Sequence, residues 1–402
     1  MTTSNHTIKP IVEYNYCSGC GTCNGICPAH AIHMGFTTLG RLVPVIDETV
    51  CVNCGLCLKA CPSNELTETM NSAFDPELMG HVESAIFAKS SDKSIFDNAQ
   101  SGGAVTATLA YLFDHGRIDA ALVVGQEHQK AQYRIVNTKQ ELFDYQSSQY
   151  TPVDLNSALP ELAKFEHVAV VGLPCHIEGI VKLKELFPER YKNIEYLLGL
   201  ICGGVLAQSC VEVVKRIAEE TVGPVDNDTR IYWRLRKYSN YKQAKIAFVD
   251  GQDSVRTIDN NIRLSCKVHL TPPRCRGCLD KMNQFCDIVF GDSWGITGND
   301  AKGGGSVIIT RNAKGQALID EMMASGCLTG RPCPVSEIAK GQHLAEKRKA
   351  KAGIVYKKEI ATFLKREKGS REDALKDIAK KVSKRAAWKQ FTGKIRKLLK
   401  IG

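Results

Sequence analysis

The stretch "CSGCGTCNGICP", Cys17 to Pro28, and its near copy "CVNCGLCLKACP", Cys51 to Pro62, share the pattern Cys-x2-Cys-x2-Cys-x3-Cys-Pro. No other feature restricts the fold so tightly. Three thiolates on one tight loop reach three irons of a single [4Fe–4S] cube, while the fourth, carried past the turn, points at a neighbouring cube. The spacing therefore predicts crossed ligand sets. One cluster takes Cys17, Cys20, Cys23 and Cys61, and the other takes Cys51, Cys54, Cys57 and Cys27. Gly19, Gly21 and Gly55 let backbone approach the sulfurs, so that N–H groups offset the negative charge of the clusters. Between the runs, "AIHMGFTTLGRLVPVIDET" reads as two short strands around a Gly turn. Zinc ribbons also use cysteine pairs, but eight cysteines at this repeated triple spacing favour iron.

Residues 10–65 resemble the two-cluster bacterial ferredoxin. The chain has 402 residues, far more than such a carrier needs, which implies two or three folding units and an ample core. Its seventeen cysteines follow a start, "MTTSNHTIKPIVEYNY", with neither a basic n-region nor an apolar h-region. That argues for ligands in a reducing cytoplasm and against a disulfide framework. No run approaches the roughly 20 apolar residues of a membrane-spanning helix. A soluble or at most peripheral protein is expected.

Beyond residue 75 the pattern changes to apolar strands alternating with amphipathic helices: "SAIFAKS", a helix from Gly103 to His115, "AALVVG", "HVAVVGLPC" and "YLLGLICGG". This alternation predicts an α/β layer structure with α+β elements, and ligands at the strand ends. Ser101, Gly102 and Gly103 open the predicted helix, where small residues let N–H groups meet a phosphate or simply cap the turn. "IYWRLRKY" alternates as a half-buried strand, placing Arg234 and Arg236 on one face, either solvated or gripping phosphate or carboxylate. Cys275-x2-Cys278 has no matching second pair, so two more ligands must arrive through the fold. Cys175 and Cys202, each at a strand end, are the natural donors, with Cys266 and Cys286 as alternatives. Cys210, Cys327 and Cys333 read as small core hydrophobes.

Six stretches in this order, "SGGAVTATLAYLFDHGRIDAALVV", "GLPCHIEGI", "GLICGGV", "PPRCRGC", "CDIVFGDSWGI" and "GGGSVIITRNAKGQALI", resemble the beta subunits of coenzyme F420 hydrogenase and dehydrogenase. That group includes 7-hydroxymethyl chlorophyll a reductase. The likeness covers roughly residues 80–325. It implies FAD near Ser101-Gly102-Gly103 and a further [4Fe–4S] cluster, with Cys175, Cys202, Cys275 and Cys278 on the family's recurrent cysteines. Gly291 and Asp292 match a loop expected beside the flavin. Two departures stand out: Ser148 and Gln149 occupy a Ser-Lys position, and Gly203 stands where many relatives carry His.

The expected fold is thus an N-terminal two-cluster ferredoxin-like domain (1–75), a flavin-binding α/β domain in two parts (76–160 and 161–345) and a basic helical tail (346–402). The expected function is a cytoplasmic iron–sulfur flavoprotein oxidoreductase, in which clusters pass single electrons and FAD exchanges pairs with an organic substrate or deazaflavin-like carrier. The alternative is an electron-transfer subunit that serves a partner enzyme. A redox partner such as ferredoxin is expected in either case. From Lys380 onward nine Lys or Arg meet no acid, with Trp388, Phe391, Ile395, Leu398 and Leu399 at helical spacing. Such a helix lies on the protein's own body or on an anionic membrane surface. The net charge of +10 is not accompanied by an aromatic-rich basic module, which argues against nucleic acid.

Overall fold

The computed structural model describes residues 6–239, 243–298, 300–346 and 357–398. Each cysteine run enters a short helix through a glycine in the left-handed region. Gly21 (φ 83°) precedes Thr22–Ile26, and Gly55 (φ 77°) precedes Leu56–Lys59. An L side chain would strain there. The strands expected between the runs form as β1 (Ile32–Phe36) and β2 (Leu42–Ile46), antiparallel with Gly35 opposite Val43. The local core is small, built on Ile8, Cys23, Ile32 and Cys61. A unit with so few buried side chains depends on bound metal and on its neighbours.

The chain next supplies β3 (Ser84–Ser90), β4 (Ala120–Glu127), β5 (Lys130–Val136), β6 (Val168–Gly172) and β7 (Ile194–Leu200) to a large sheet. It then gives β8 (Arg230–Tyr232), β9 (Lys245–Val249) and β10 (Val255–Asp259) to a small one. It returns to the large sheet with β11 (Ile288–Asp292), β12 (Ser306–Thr310) and β13 (Leu328–Pro332). The large sheet has eight strands in the order β13-β3-β12-β11-β7-β6-β4-β5. β4, β6, β7 and β11 are mutually parallel, and β12 runs against both β11 and β3. The C-terminal ends of β3, β4, β6, β7 and β11 therefore share one edge.

Both faces of this sheet are covered, as its apolar runs require. Alternate residues of β6 divide between two cores. Val168 and Val170 pack with Ile177, Ile180 and Leu183 of the Pro174–Leu186 helix. Ala169 and Val171 pack with Leu109 and Leu112 of the Ala104–Asp114 helix and with Leu318 and Met322 of the Ala313–Ala324 helix. Ile26 and Ala60 of the cysteine-rich unit belong to the first of these cores. That unit is built into the face carrying the Pro174–Leu186 helix.

A third core joins the small sheet to helices Ser209–Val222 and Asn261–Leu270, through Trp233, Phe248, Cys210 and Cys266. The helices Lys357–Glu367 and Arg371–Leu398 close it with Phe363, Leu375, Ile378, Val382 and Ala386. The tail thus docks on the protein's own body as far as Ala386. Trp388 is exposed. The side chains of Phe391, Ile395 and Leu398, and all of Leu399, lie outside the described residues. Among the described residues no helix is long and apolar enough to cross a membrane.

The tail also clamps the cysteine-rich unit. Glu367 accepts from Thr37 Oγ1 at 2.8 Å, Arg41 Nε at 3.2 Å and Leu39 N at 3.4 Å, with the Arg41 and Glu367 side chains only 10% and 9% exposed. Arg371 binds Thr38 O and Glu212. Glu367→Ala leaves Arg41 and two further donors without their acceptor. It should lower stability by about 3 kcal/mol, the scale for breaking one side of a buried pair. Anaerobic urea unfolding would measure it, and a loss no larger than that of an exposed Glu→Ala control would contradict the clamp.

Candidate functional site

Cys27, Cys51, Cys54 and Cys57 line one cavity with Thr7, Ile32, Ile46 and Val52. Cys54 is exposed, so this set reaches the surface. Cys17, Cys20, Cys23 and Cys61 form a second set, deeper in the molecule. Burial pushes the Cys17 and Cys61 thiols up to about 12 and Cys23 well above its ordinary value, with Cys20 adding to each. The fourth cysteine of each run is thus found with the other run's triplet, the arrangement the spacing predicts.

The third set is assembled by the large sheet. Cys175 lies in the first turn of the Pro174–Leu186 helix, just after β6, and Cys202 follows β7. Cys275 sits in the Pro273–Arg276 turn, and Cys278 follows it. All four line one cavity with Pro152, Arg274, Glu178 and Asp280. Burial raises Cys175, with Cys20, Cys202 and Cys275 contributing in that order. The third set therefore borders the set of Cys17, Cys20, Cys23 and Cys61. Cys266 and Cys286 do not join it: both are buried in apolar cores, and Cys286 donates to Asn283 O at 3.0 Å. Cys210 and Cys333 are core residues, and Cys327 packs beside a core.

These sites fit clusters on their own chemistry. Thiols raised so far by burial do not ionise unaided near neutral pH, and a bound iron can displace the proton. Backbone N–H groups already donate to the sulfurs: Gly19 to Cys17 at 3.4 Å, Ser63 to Cys61, Ala31 to Cys27 and Gly204 to Cys202, each at 3.3 Å. Such bonds stabilise thiolate charge. Among the described residues no three His, Cys, Asp or Glu side chains form a group suited to one metal ion. In a cube each thiolate takes its own iron, so the ligands need not converge on one point.

Two glycines bring the second and third sets together. A Cβ on Gly25 would lie 2.1 Å from Asn156 O, and one on Gly179 would lie 2.2 Å from Thr22 Oγ1. Only glycine permits these approaches, of the Thr22–Ile26 helix to the Leu155–Lys164 segment at Gly25 and to the Pro174–Leu186 helix at Gly179. Asn156 Nδ2 then donates to Thr22 Oγ1 at 2.8 Å and to His176 O at 2.9 Å, while Thr22 Oγ1 lies 3.2 Å from Cys20 Sγ. Lys182 donates to Cys61 O at 2.7 Å, and Arg274 Nε donates to Ser63 Oγ at 3.0 Å. Sequence reading missed Asn156 and Lys182, because their partners lie 134 and 121 residues away. Arg274 carried a signal, its place beside Cys275.

At the same sheet edge the residues expected to hold a cofactor form a wall. Arg234 pairs with Asp292 through two bonds of 2.8 and 3.0 Å and donates to Tyr150 Oη at 3.0 Å. Burial works against its charge, but Tyr150 and Asp292 outweigh that and hold it protonated. Trp294 Nε1 donates to Asp292 at 3.0 Å, and the Arg263 guanidinium lies 4.0 Å from the Tyr150 ring centre. Arg236 stacks on Phe96 at 4.0 Å and donates to Ser101 O and Gly303 O, each at 2.6 Å. The two arginines do not share a strand face. β8 stops at Tyr232, and the buried pair with Asp292 draws Arg234 inward, whereas Arg236 opens a short 3-10 turn.

The Ser101 turn is engaged within the protein. Ser101 Oγ donates to Gly305 O, and Gly102 N donates to Ser306 Oγ at 3.1 Å. A Cβ on Gly102 would lie 2.5 Å from Ser306 N, and one on Gly291 would lie 2.4 Å from Ile201 Cδ1. Both glycines serve close packing. Gly103 takes positive φ to start the Ala104–Asp114 helix. Gln149, in the position lacking lysine, accepts from Gln126 at 3.2 Å.

Three segments match family models. Residues 16–64 match the 4Fe-4S dicluster domain, 85–160 the N-term of the coenzyme F420 hydrogenase/dehydrogenase beta subunit, and 165–336 its C terminus. The coenzyme F420-dependent sulfite reductase of Methanocaldococcus jannaschii is 33% identical over 48% of this chain, a match that spans only 32% of that protein. The coenzyme F420 hydrogenase subunit beta of Methanococcus voltae is 25% identical over 70% of this chain and 97% of its own length. The F420-dependent formate dehydrogenase 1 subunit beta of Methanococcus maripaludis is 25% identical over 54% of this chain and 53% of its own. A chain of the F420-reducing [NiFe] hydrogenase complex from Methanosarcina barkeri shares the fold, with a TM-score of 0.52 at 22% identity, covering 72% of this chain and 92% of that one.

Arg234→Met leaves the Asp292 carboxylate, 20% exposed, without its counter-charge. It should lower stability by about 3 kcal/mol, and adding Asp292→Asn should recover part of that loss. Anaerobic urea unfolding of both variants checks the pair; an equal or larger loss in the double variant would refute it.

Proposed function

The chain belongs to the family of coenzyme F420 hydrogenase/dehydrogenase beta subunits, and from that premise we propose that it is an iron–sulfur electron-transfer subunit serving a partner enzyme. The observation that carries this reading is the succession of the three cysteine sets. The set with Cys54 opens at the surface, the set with Cys20 lies behind it, and Cys175 borders Cys20. Cys57 acts on Cys23 in the same way that Cys20 acts on Cys175. Electrons entering at the exposed set pass inward by neighbours and end at the C-terminal edge of the sheet, or travel the reverse way. A single carrier would not need such a series.

Two of the relatives are named as subunits of F420-dependent enzymes, which favours a partner-serving role over a self-contained enzyme. A finer reading places a flavin at the wall, and a charge imbalance favours it. Arg263 and Arg234 both act against the charge of Lys267 there, with the carboxylate of Asp292 opposing them. That wall suits an anionic aromatic ligand, with Trp294 half-exposed beside Arg234. A flavin there would convert single electrons into pairs for an organic carrier. The chain's own part is to hold the ligand's charge with the arginines, to fix Asp292 in place through Arg234 and Trp294, and to exclude water from the inner cysteines. Ser101 and Gly102 would act by shaping this wall, since their own polar groups are already engaged.

Anaerobically purified protein should contain iron and sulfide for three cubes, and Cys278→Ala should remove about one third of both while leaving the N-terminal clusters. Iron for only two cubes in the parent protein would sink the third site. Cys54→Ser should slow reduction by a protein donor but spare reduction of the inner clusters by dithionite. Equal loss of both would refute entry at the exposed set. A yellow chromophore released on denaturation tests the flavin reading separately.

A further inference from the structure

Lys267 is a half-buried cation that no cluster ligand set or ion pair among the described residues accounts for. It lies in the Asn261–Leu270 helix, and among the described residues its ammonium makes no hydrogen bond or salt bridge. Its backbone carbonyl accepts from Thr271 Oγ1 at 2.8 Å and from Arg276 Nη2 at 3.1 Å, which ties this helix end to the turn carrying Cys275. A Cβ built on Gly203, the residue after Cys202, would lie 3.6 Å from Lys267 Nζ. The ammonium therefore faces the backbone next to a cysteine of the third set, within contact distance of position 203.

Its surroundings make the placement costly without a function. Burial works against the Lys267 charge, and Arg263 and Arg234 add repulsion; only Cys202 and Asp292 oppose them. An ammonium removed from water without a hydrogen-bonded partner is destabilising. An electron arriving at the third cluster from its N-terminal neighbour adds one negative charge beside Cys202. A fixed positive charge at that point favours the reduced form. We infer that Lys267 sets the potential of the third cluster, its ammonium over the Cys202–Gly203 backbone making that cluster a better electron acceptor.

This rests on the reading that Cys175, Cys202, Cys275 and Cys278 hold a cluster. One electron is transferred, the donor cluster is oxidised as the third is reduced, and no proton moves. Arg274, in the turn that carries Cys275, acts on the same set but is held by Ser63. Lys267 is the cation whose removal breaks no hydrogen bond of its side chain.

The test is an EPR-monitored redox titration of full-length, anaerobically prepared protein carrying Lys267→Gln or Lys267→Arg. The N-terminal clusters serve as references in the same sample. In Lys267→Gln the third cluster's midpoint should shift to more negative potential while the references stay in place, and Lys267→Arg should restore the parent value. An unmoved midpoint at full iron content, or an equal shift of all clusters, overturns the inference. Loss of third-cluster iron in both variants would assign Lys267 a structural role and also overturn it. Parent protein with iron for only two cubes would instead refute the third cluster itself, a distinguishable result.

Discussion

The molecule depends on one close contact, that of the short helix after Gly21 with the segment at Asn156 and the long helix that begins at Pro174. Gly25 lies against Asn156 and Gly179 against Thr22, at distances where any Cβ would collide. Asn156 then bridges Thr22 and His176. The cysteine-rich unit has too small a core to fix its own position, and this contact gives it one. An interface that tolerates no larger residue also fixes the separation between the two cysteine sets. The tail helices hold the opposite side of the same unit through Glu367 and Arg371.

Electrostatics follow from that packing. Thiols enclosed by apolar side chains resist ionisation, and the amides of Gly19, Ser63, Ala31 and Gly204 are aimed at sulfurs before any metal is considered. Lys182 and Arg274 bring positive charge between the inner sets, each tethered by a hydrogen bond. The cations are spent on the interior of the relay. Among the described residues, none that lines the surface cavity around Cys54 is charged.

The large sheet gathers the remaining chemistry at one edge, as parallel strands with a common direction must. Cys175, Cys202, Asp292 and the Ser101 turn come from four different connections, yet they face the same region. The family and the iron–sulfur class follow from this arrangement together with the matched segments. The fold does not by itself choose a substrate.

Spacing along the chain was enough to pair Cys27 with the second triplet and Cys61 with the first, and to predict the hairpin between the runs, the helix after Gly103 and four strands of the large sheet, β3, β4, β6 and β7. Each of these is a local property: cysteine reach, apolar period or turn chemistry within about a dozen residues. It was also enough to nominate Cys175 and Cys202 as partners of Cys275 and Cys278, because strand ends are places where a sheet collects side chains. Which cysteine to prefer over Cys266 or Cys286 was decided only by the tertiary structure, since burial in an apolar core leaves no trace in spacing. The same is true of Arg234 turning inward, the tail docking on the body, and Lys267 facing Gly203. Those outcomes depend on charges and contacts between residues tens to hundreds of positions apart, and only the folded chain brings them within range.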